Sequence, residues 1–171
     1  MNRRTVMLVA TLSLVAFSDG SALGASEHEE RQALIKSIGN AKITLQQGLT
    51  AAAAQGQPIS GKFEVDDGKL QLSVYTAKNG KFSEVLVDYA TGKVAKSEAI
   101  TEGEDLADAK SQSAAMAKAK NSLRAAVDRA LGQSAGYRAI SVTPEMKSGH
   151  AVASVVLLKG EDFKTAQEPL E

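Results

Sequence analysis

Two histidines are the only side chains of this chain that ordinarily titrate near neutral pH, and they lie far apart in the sequence. His28 lies in a glutamate-rich segment, and His150 follows Ser148 and Gly149 at the start of a predicted strand. Nucleophilic catalysis needs an activated nucleophile beside a base, and a zinc site needs three or four convergent ligands. Because there is also no cysteine, we expect two solvated histidines, no enzymatic activity, and no metal or other cofactor.

Acidic residues cluster at two places, where carboxylates can act as general acid and base or bind a hard cation. Asp66 and Asp67 precede Gly68, a combination typical of a turn. The run from Glu102 to Asp105 precedes a predicted helix, where carboxylates stabilise the positive end of the helix dipole. We therefore expect structural roles for both clusters, and calcium binding or general acid/base use remains the alternative.

The first 24 residues have the organisation of a secretory signal peptide. Arg3 and Arg4 precede a mostly apolar stretch from Thr5 to Phe17, and small residues then lead to a cleavage site before Ala25, which is the order that exported proteins show. The apolar stretch is shorter than the ~20 residues of a membrane-spanning helix. We expect a periplasmic or secreted protein without a membrane span after cleavage, and an uncleaved N-terminal anchor is the alternative.

The charge of the chain is balanced, with 20 Lys and Arg against 20 Asp and Glu. Cleavage would remove Arg3, Arg4 and Asp19, which leaves 18 basic and 19 acidic residues and a formal charge of −1. A near-neutral domain lacks the basic surface that binds nucleic acid. The chain is therefore not expected to have a nucleic-acid partner.

Residues 25–100 are predicted to form a helix followed by a first helix–meander unit. Helices are predicted at residues 26–39, with Ser26 as N-cap, and at residues 44–56, where Thr44 and Gln47 fit a capping box. Gly48 costs this second helix about 1 kcal/mol relative to Ala, which indicates a close packing contact. Alternating apolar residues predict strands at residues 63–65, 70–76, 82–87 and from 94, with turns at 66–69 and 78–81.

Residues 101–171 are predicted to form a second, degenerate unit. One helix is predicted from about Asp105 to Leu131, covering a sheet, with strands at 137–142, 151–158 and 163–166. Short matches at constant spacing relate the two units and predict a tandem repeat. They are Thr44-Leu45 with Ser122-Leu123, and Gly68, Ser73, Val74, Lys78 and Phe82 with Gly149, Ser154, Val155, Lys159 and Phe163. The second copy stops early, because the counterpart of Asp88 is Pro169.

The segment Val85–Val94 predicts a hairpin in which Asp88 accepts turn N–H groups and Gly92 has a positive φ. With the helix at 44–56, the strand at 70–76 and the Asn79-Gly80 turn, it resembles the PepSY module of peptidase propeptides and bacterial envelope proteins. The resemblance spans residues 43–94, and residues 123–166 by pattern alone. It implies an α+β fold with helices packed on a curved antiparallel sheet, often in tandem, and a protein-binding or protease-inhibiting role without catalytic residues.

One face of the first meander is predicted to be solvated and to bind a partner, because aromatic residues anchor protein interfaces. An edge strand can also accept an extended peptide by strand addition. The partner is expected to be another envelope or secreted protein, a peptidase being one such class. The alternative is an envelope stress protein that binds a small ligand or a cation. The candidate partner-binding residues are Gln71, Ser73 and Tyr75 on the strand, beside Lys62, and Asp88, Tyr89 and Thr91 in the turn.

Overall fold

Four α-helices and one seven-stranded antiparallel sheet make up residues 23–171, the part of the chain that this computed structural model describes. The predicted α+β class is confirmed, whereas nearly all of the predicted signal peptide lies outside the described residues. The helices are α1 (Leu23–Ser37), followed by a 3₁₀ turn at Ile38–Asn40, α2 (Leu45–Ala52), α3 (Gly103–Lys118) and α4 (Leu123–Gly132). The strands are β1 (Gln57–Asp66), β2 (Lys69–Lys78), β3 (Lys81–Val87), β4 (Val94–Ile100), β5 (Arg138–Lys147), β6 (His150–Lys159) and β7 (Asp162–Pro169).

The two predicted meanders lie in one sheet, in the order β4-β3-β2-β1-β5-β6-β7. The first meander contributes β1 to β4 and the second contributes β5 to β7. They meet where β1 pairs with β5 in antiparallel fashion, with Gly61 opposite Val142 and Lys62 opposite Ser141. The strands β4 and β7 therefore form the two edges of the sheet.

Helix α2 packs closely against β2, and its N-terminus has the predicted capping box. The Thr44 hydroxyl accepts from the Gln47 backbone N–H at 3.2 Å, and the Gln47 side chain accepts from the Thr44 N–H at 2.8 Å. A Cβ atom at Gly48 would overlap the fully buried Leu72 side chain. The close contact predicted at Gly48 is therefore confirmed.

The sheet is covered by helices on both faces. Helices α2 and α4 lie side by side, linked by hydrogen bonds from Gln46 to Asp128 and from Arg124 to Thr50, and both pack on the sheet. Helix α3 contacts β1, β2, β5 and β6. Because successive side chains of a strand point to opposite faces, the α3 side of β2 is the one that carries Tyr75, not the one that carries Leu72.

The prediction of one helix from Asp105 to Leu131 is wrong, because the chain turns between α3 and α4. The backbone N–H groups of Lys120 and Asn121 both donate to Leu170 O, at 2.7 and 2.9 Å. Ser122 then starts α4 by accepting the Ala125 N–H at 3.2 Å. The carbonyl of Leu170, which accepts these hydrogen bonds just after the end of α3, thus lies about 50 residues further along the chain.

Other predicted boundaries differ from the observed ones. Helix α1 already includes Leu23–Ala25, so Ser26 is not its N-cap, and α2 ends at Ala52 rather than at residue 56. Strand β1 begins at Gln57, six residues before Phe63. A bulge between Pro58 and Ser60 interrupts its alternation, and β5 has a similar irregularity between Ala139 and Ser141. Such bulges shift the period-2 pattern on which the strand prediction depends.

Candidate functional site

The β2 face predicted to bind a partner is covered by α3. Ser73 and Tyr75 are only 1% and 5% exposed, and Gln71 and Lys62 are half-buried. The Tyr75 hydroxyl donates to Asp105 Oδ1 in the first turn of α3 at 3.2 Å. The prediction that this face is solvated is therefore wrong, because a helix distant in sequence packs on it.

Beneath α3 these side chains belong to a polar cluster centred on Glu64. The Ser73 hydroxyl donates to Glu64 Oε1 at 2.7 Å, and Lys62 Nζ pairs with Glu64 Oε2 at 2.5 Å. Burial, followed by the negative charges of Glu84 and Asp105, raises the pKa of Tyr75 far above its ordinary value. Tyr75 is therefore a permanent hydrogen-bond donor at neutral pH and cannot act as a base.

Glu84 on β3, opposite Tyr75 in the ladder, is a further acidic member of this cluster. Its Oε1 atom is buried and has no hydrogen-bond partner among the described residues. Burial raises the pKa of Glu84, and the charges of Glu64 and Asp105 raise it further, whereas a side-chain hydrogen bond with Ser73 and the charge of Lys62 oppose this rise. The charged form of this carboxylate is thus destabilised in the folded protein.

Replacing Glu84 by glutamine is expected to stabilise the protein at neutral pH by about 1 kcal/mol, because it removes a poorly solvated charge. Since the folded pKa lies above the unfolded value, the wild type loses stability as the pH rises through this interval. The difference between the variant and the wild type should therefore vanish below about pH 4. Urea unfolding of both proteins at several pH values measures this difference in stability. Glu98→Gln, at an exposed ion pair with Lys96, is the control and should change stability little.

The predicted turn after β3 is confirmed in detail. Asp88 Oδ1 accepts the N–H groups of Ala90 and Thr91 at 2.9 and 2.7 Å, and these hydrogen bonds lower the pKa of Asp88. Gly92 has φ +74° and donates to Asp88 O at 2.8 Å. The carbonyl of Tyr89 accepts from the backbone N–H groups that precede α2. This turn therefore anchors the start of α2 to the end of β3.

The six predicted partner-binding residues divide into two groups. Ser73 and Tyr75 are buried in the polar cluster with half-buried Gln71, whereas Asp88 and Thr91 are exposed in the turn and Tyr89 is half-buried. The two groups are connected through β3. Tyr75 pairs with Glu84 on that strand, and Glu84 is four residues before Asp88 in the sequence. Only the turn residues are placed where another protein can reach them without displacing α3.

Strand β4, which follows this turn, is the most exposed strand of the sheet. Every residue from Val94 to Ala99 is exposed, and Ile100 is half-buried. One edge of β4 pairs with β3, and no strand of residues 23–171 pairs with the other. Lys96 and Glu98 form an exposed ion pair at 2.8 Å on this strand. Strand β4 thus presents a free backbone edge and two uncovered faces.

The residues considered for catalysis or cation binding are dispersed. The His150 side chain is 74% exposed and lies 3.2 Å from a carboxylate oxygen of Glu171, and Asp67 lies in the β1–β2 turn with φ +46°. Within the described residues, no group of three His, Cys, Asp or Glu side chains is arranged to bind a metal ion. None of the helices described is long and apolar enough to cross a membrane.

Sequence reasoning missed a cleft of about 410 Å³ between α2, α3 and α4. It arises where the chain turns from α3 into α4, so a continuous helix would have removed it. The similarity of Ser122-Leu123 to the helix start at Thr44-Leu45 was the signal that α4 begins there. We call this cavity the junction cleft; its lining is Leu49, Thr50, Ala53, Gln57, Pro58, Met116, Ala119, Lys120, Asn121, Ser122, Leu123 and Arg124.

Comparison of the chain with models of protein families, with curated proteins and with solved structures found no match. The fold and the geometry of its surfaces are therefore the basis for the functional argument. They define an α+β protein with helices on both faces of an antiparallel sheet, with one edge strand exposed on both of its faces.

Proposed function

We propose that this chain is a non-catalytic, PepSY-like module that acts outside the cytoplasm by binding another exported protein, with a peptidase as one class of partner. The proposal moves the binding surface from the β2 face to the turn at Asp88 and to β4. An extended segment of the partner adds to the free edge of β4, so that main-chain hydrogen bonds provide affinity. The exposed turn residues Asp88 and Thr91 flank that edge.

The exposure of β4 is the observation that carries this proposal. A seven-residue edge strand uncovered on both faces is a template for pairing with another chain, and proteins usually shorten, cover or charge such edges. Here charge is limited to Lys96 and Glu98, which pair with each other. At the opposite edge, the end of β7 is fixed to α4, because Arg129 donates to Glu168 and to the Pro169 carbonyl.

The constant spacing between corresponding elements of the two meanders supports the PepSY-like part of the proposal. Corresponding strands of the two meanders begin 81 residues apart: β1 at Gln57 and β5 at Arg138, β2 at Lys69 and β6 at His150, β3 at Lys81 and β7 at Asp162. The bulges in β1 and β5 follow the same spacing, and Thr44 and Ser122 both cap helices. We infer that the two units arose by duplication.

Titration of the host's exported peptidases with stoichiometric amounts of the protein tests the inhibitory form of this function. We expect one peptidase to be slowed, and Ser97→Pro in β4 to abolish the effect because proline removes a backbone donor from the edge. The matched control is Thr165→Pro at the middle of β7, which should inhibit normally. If no peptidase is slowed, the inhibitory role is rejected; if both proline variants act alike, β4 is not the binding edge.

Export is tested separately by fractionating the cells and sequencing the N-terminus of the protein. A cleaved signal peptide predicts an extracytoplasmic protein that begins at Ala25. A cytoplasmic protein that retains residues 1–24 would reject the proposed compartment and the exported partner together.

A further inference from the structure

The junction cleft combines an apolar wall with a cationic rim. Leu49 and Leu123 are buried to 3% and 2% exposure on facing helices, and Met116 closes the wall from α3. Pro58, at the start of β1, adds a further apolar surface. The volume of about 410 Å³ lies at the lower end of the range for small-molecule sites, about 300–1,000 Å³. The cleft therefore suits a small ligand with an apolar portion.

The rim of the cleft carries two cations and no carboxylate. The side chains of Lys120 and Arg124 are exposed, and neither forms an ion pair with any carboxylate of residues 23–171. Within residues 23–171, the hydrogen bond of Arg124 Nη1 is to the Thr50 hydroxyl, at 3.2 Å. Both cations are therefore free to bind an anion without first breaking an ion pair.

The backbone at the rim is held in place by the C-terminal segment. Leu170 is fully buried, and its carbonyl accepts from the N–H groups of Lys120 and Asn121. Its own N–H donates to the Ala151 carbonyl at 3.0 Å, which joins the α3–α4 turn to β6. A rim fixed in this way pays little entropy on binding a ligand.

We propose that the junction cleft binds a small carboxylate with a short apolar tail. The tail packs against Leu49, Met116 and Leu123, and the carboxylate lies between Lys120 and Arg124. An inorganic anion would leave the apolar wall uncovered, and a neutral apolar molecule would leave the two cations without a partner. An amphiphilic carboxylate satisfies both parts of the lining.

Titration of the protein with octanoate, followed by calorimetry and by backbone amide shifts, tests this site. Octanol has the same tail without the charge, and inorganic phosphate has the charge without the tail. We expect saturable binding of octanoate, with shifts concentrated at Ala119–Arg124, and binding of octanol and phosphate at least tenfold weaker, since a charge-assisted hydrogen bond is worth about that factor. Equal binding of octanol, equal binding of phosphate, or no binding of octanoate would each overturn the proposal.

Variants on the rim locate the site. Lys120→Gln with Arg124→Gln should weaken octanoate binding by about tenfold or more, whereas Lys110→Gln, on an exposed part of α3 outside the cleft, should not change it. Ala53→Glu should abolish binding by repulsion, while Ala53→Gln, of equal size, should preserve it. All four proteins should unfold like the wild type, because the replaced side chains are exposed. Octanoate binding that survives both the double variant and Ala53→Glu would disprove the assignment.

The proline variant Ser97→Pro separates this site from the function proposed for β4. Octanoate should bind that variant as it binds the wild type, because β4 does not line the cleft. Loss of octanoate binding in Ser97→Pro would contradict the assignment to the junction cleft. Each of the two proposals can thus fail without the other.

Discussion

Replacing Leu72 by alanine is expected to lower the free energy of unfolding by about 2–5 kcal/mol, the range for a buried leucine that leaves a cavity. Leu72 is fully buried at the centre of β2 and lies directly beneath Gly48 of α2. A smaller side chain here would leave a cavity between α2 and β2. Urea denaturation followed by circular dichroism measures the loss.

The contact between Leu72 and Gly48 predicts a reversal of sign in a double-mutant cycle. Alone, Gly48→Ala should destabilise the protein, because its new Cβ overlaps the Leu72 side chain and crowding outweighs the helix propensity of Ala, about 1 kcal/mol better than Gly. In the Leu72→Ala background the same change should stabilise, because the methyl group enters the space left by leucine. Additive effects of the two substitutions would contradict this account of the packing.

The second large effect is expected at Arg138, whose guanidinium joins the two halves of the chain. It donates to three backbone carbonyls, Ile38 O at 2.9 Å, Ala41 O at 3.0 Å and Ile43 O at 3.1 Å. The guanidinium carbon Cζ of Arg138 also lies 5.7 Å from the centroid of the Phe63 ring, over its face. Half-buried at the start of β5, Arg138 therefore fixes the segment that connects α1 to α2.

Replacing Arg138 by methionine should lower the free energy of unfolding by about 3 kcal/mol, because the half-buried guanidinium group is lost and the three carbonyls lose their hydrogen-bond donor. Compared with the wild type, the variant should show faster exchange of the amide hydrogens of residues 41–43, whereas exchange in β6 should increase less. Arg138→Lys should retain part of the stability, since an ammonium group cannot reach all the carbonyls in the fork geometry. Arg124→Met, at an exposed arginine, is the matched control, with a change within about 0.5 kcal/mol. A loss at Arg138 no larger than in this control would show that the guanidinium does not hold the two halves together.

Features that depend on neighbouring residues could be predicted from the sequence. The capping box at Thr44 and the turn at Asp88 follow from local hydrogen bonding, and both are present. The low helix propensity of Gly48 indicated a close contact there, which is also present, although its partner Leu72 could not be named from the sequence. The α+β class follows because apolar periodicity changes from helical to alternating and back along the chain.

Features that depend on distant residues could not be predicted in this way. The start of α4 has a local signal at Ser122, but the turn before it is held by the carbonyl of Leu170, and Arg138 has its acceptors about 100 residues away. The burial of Tyr75 depends on α3, which packs on a face that alternation alone predicts to be solvated. Both surfaces now proposed for binding, β4 and the junction cleft, are consequences of such tertiary placement.

Site-specific photo-cross-linking at β4 tests the central claim most directly. A benzophenone amino acid is placed at Ser97, or at Thr165 of β7 as the matched control, and the protein is irradiated in the host's envelope extract. We predict that Ser97 cross-links one exported protein through an extended segment, identified by mass spectrometry of the joined peptides, and that Thr165 does not. Equal cross-linking at both positions, or none at Ser97, would contradict a partner-binding role for the edge of β4.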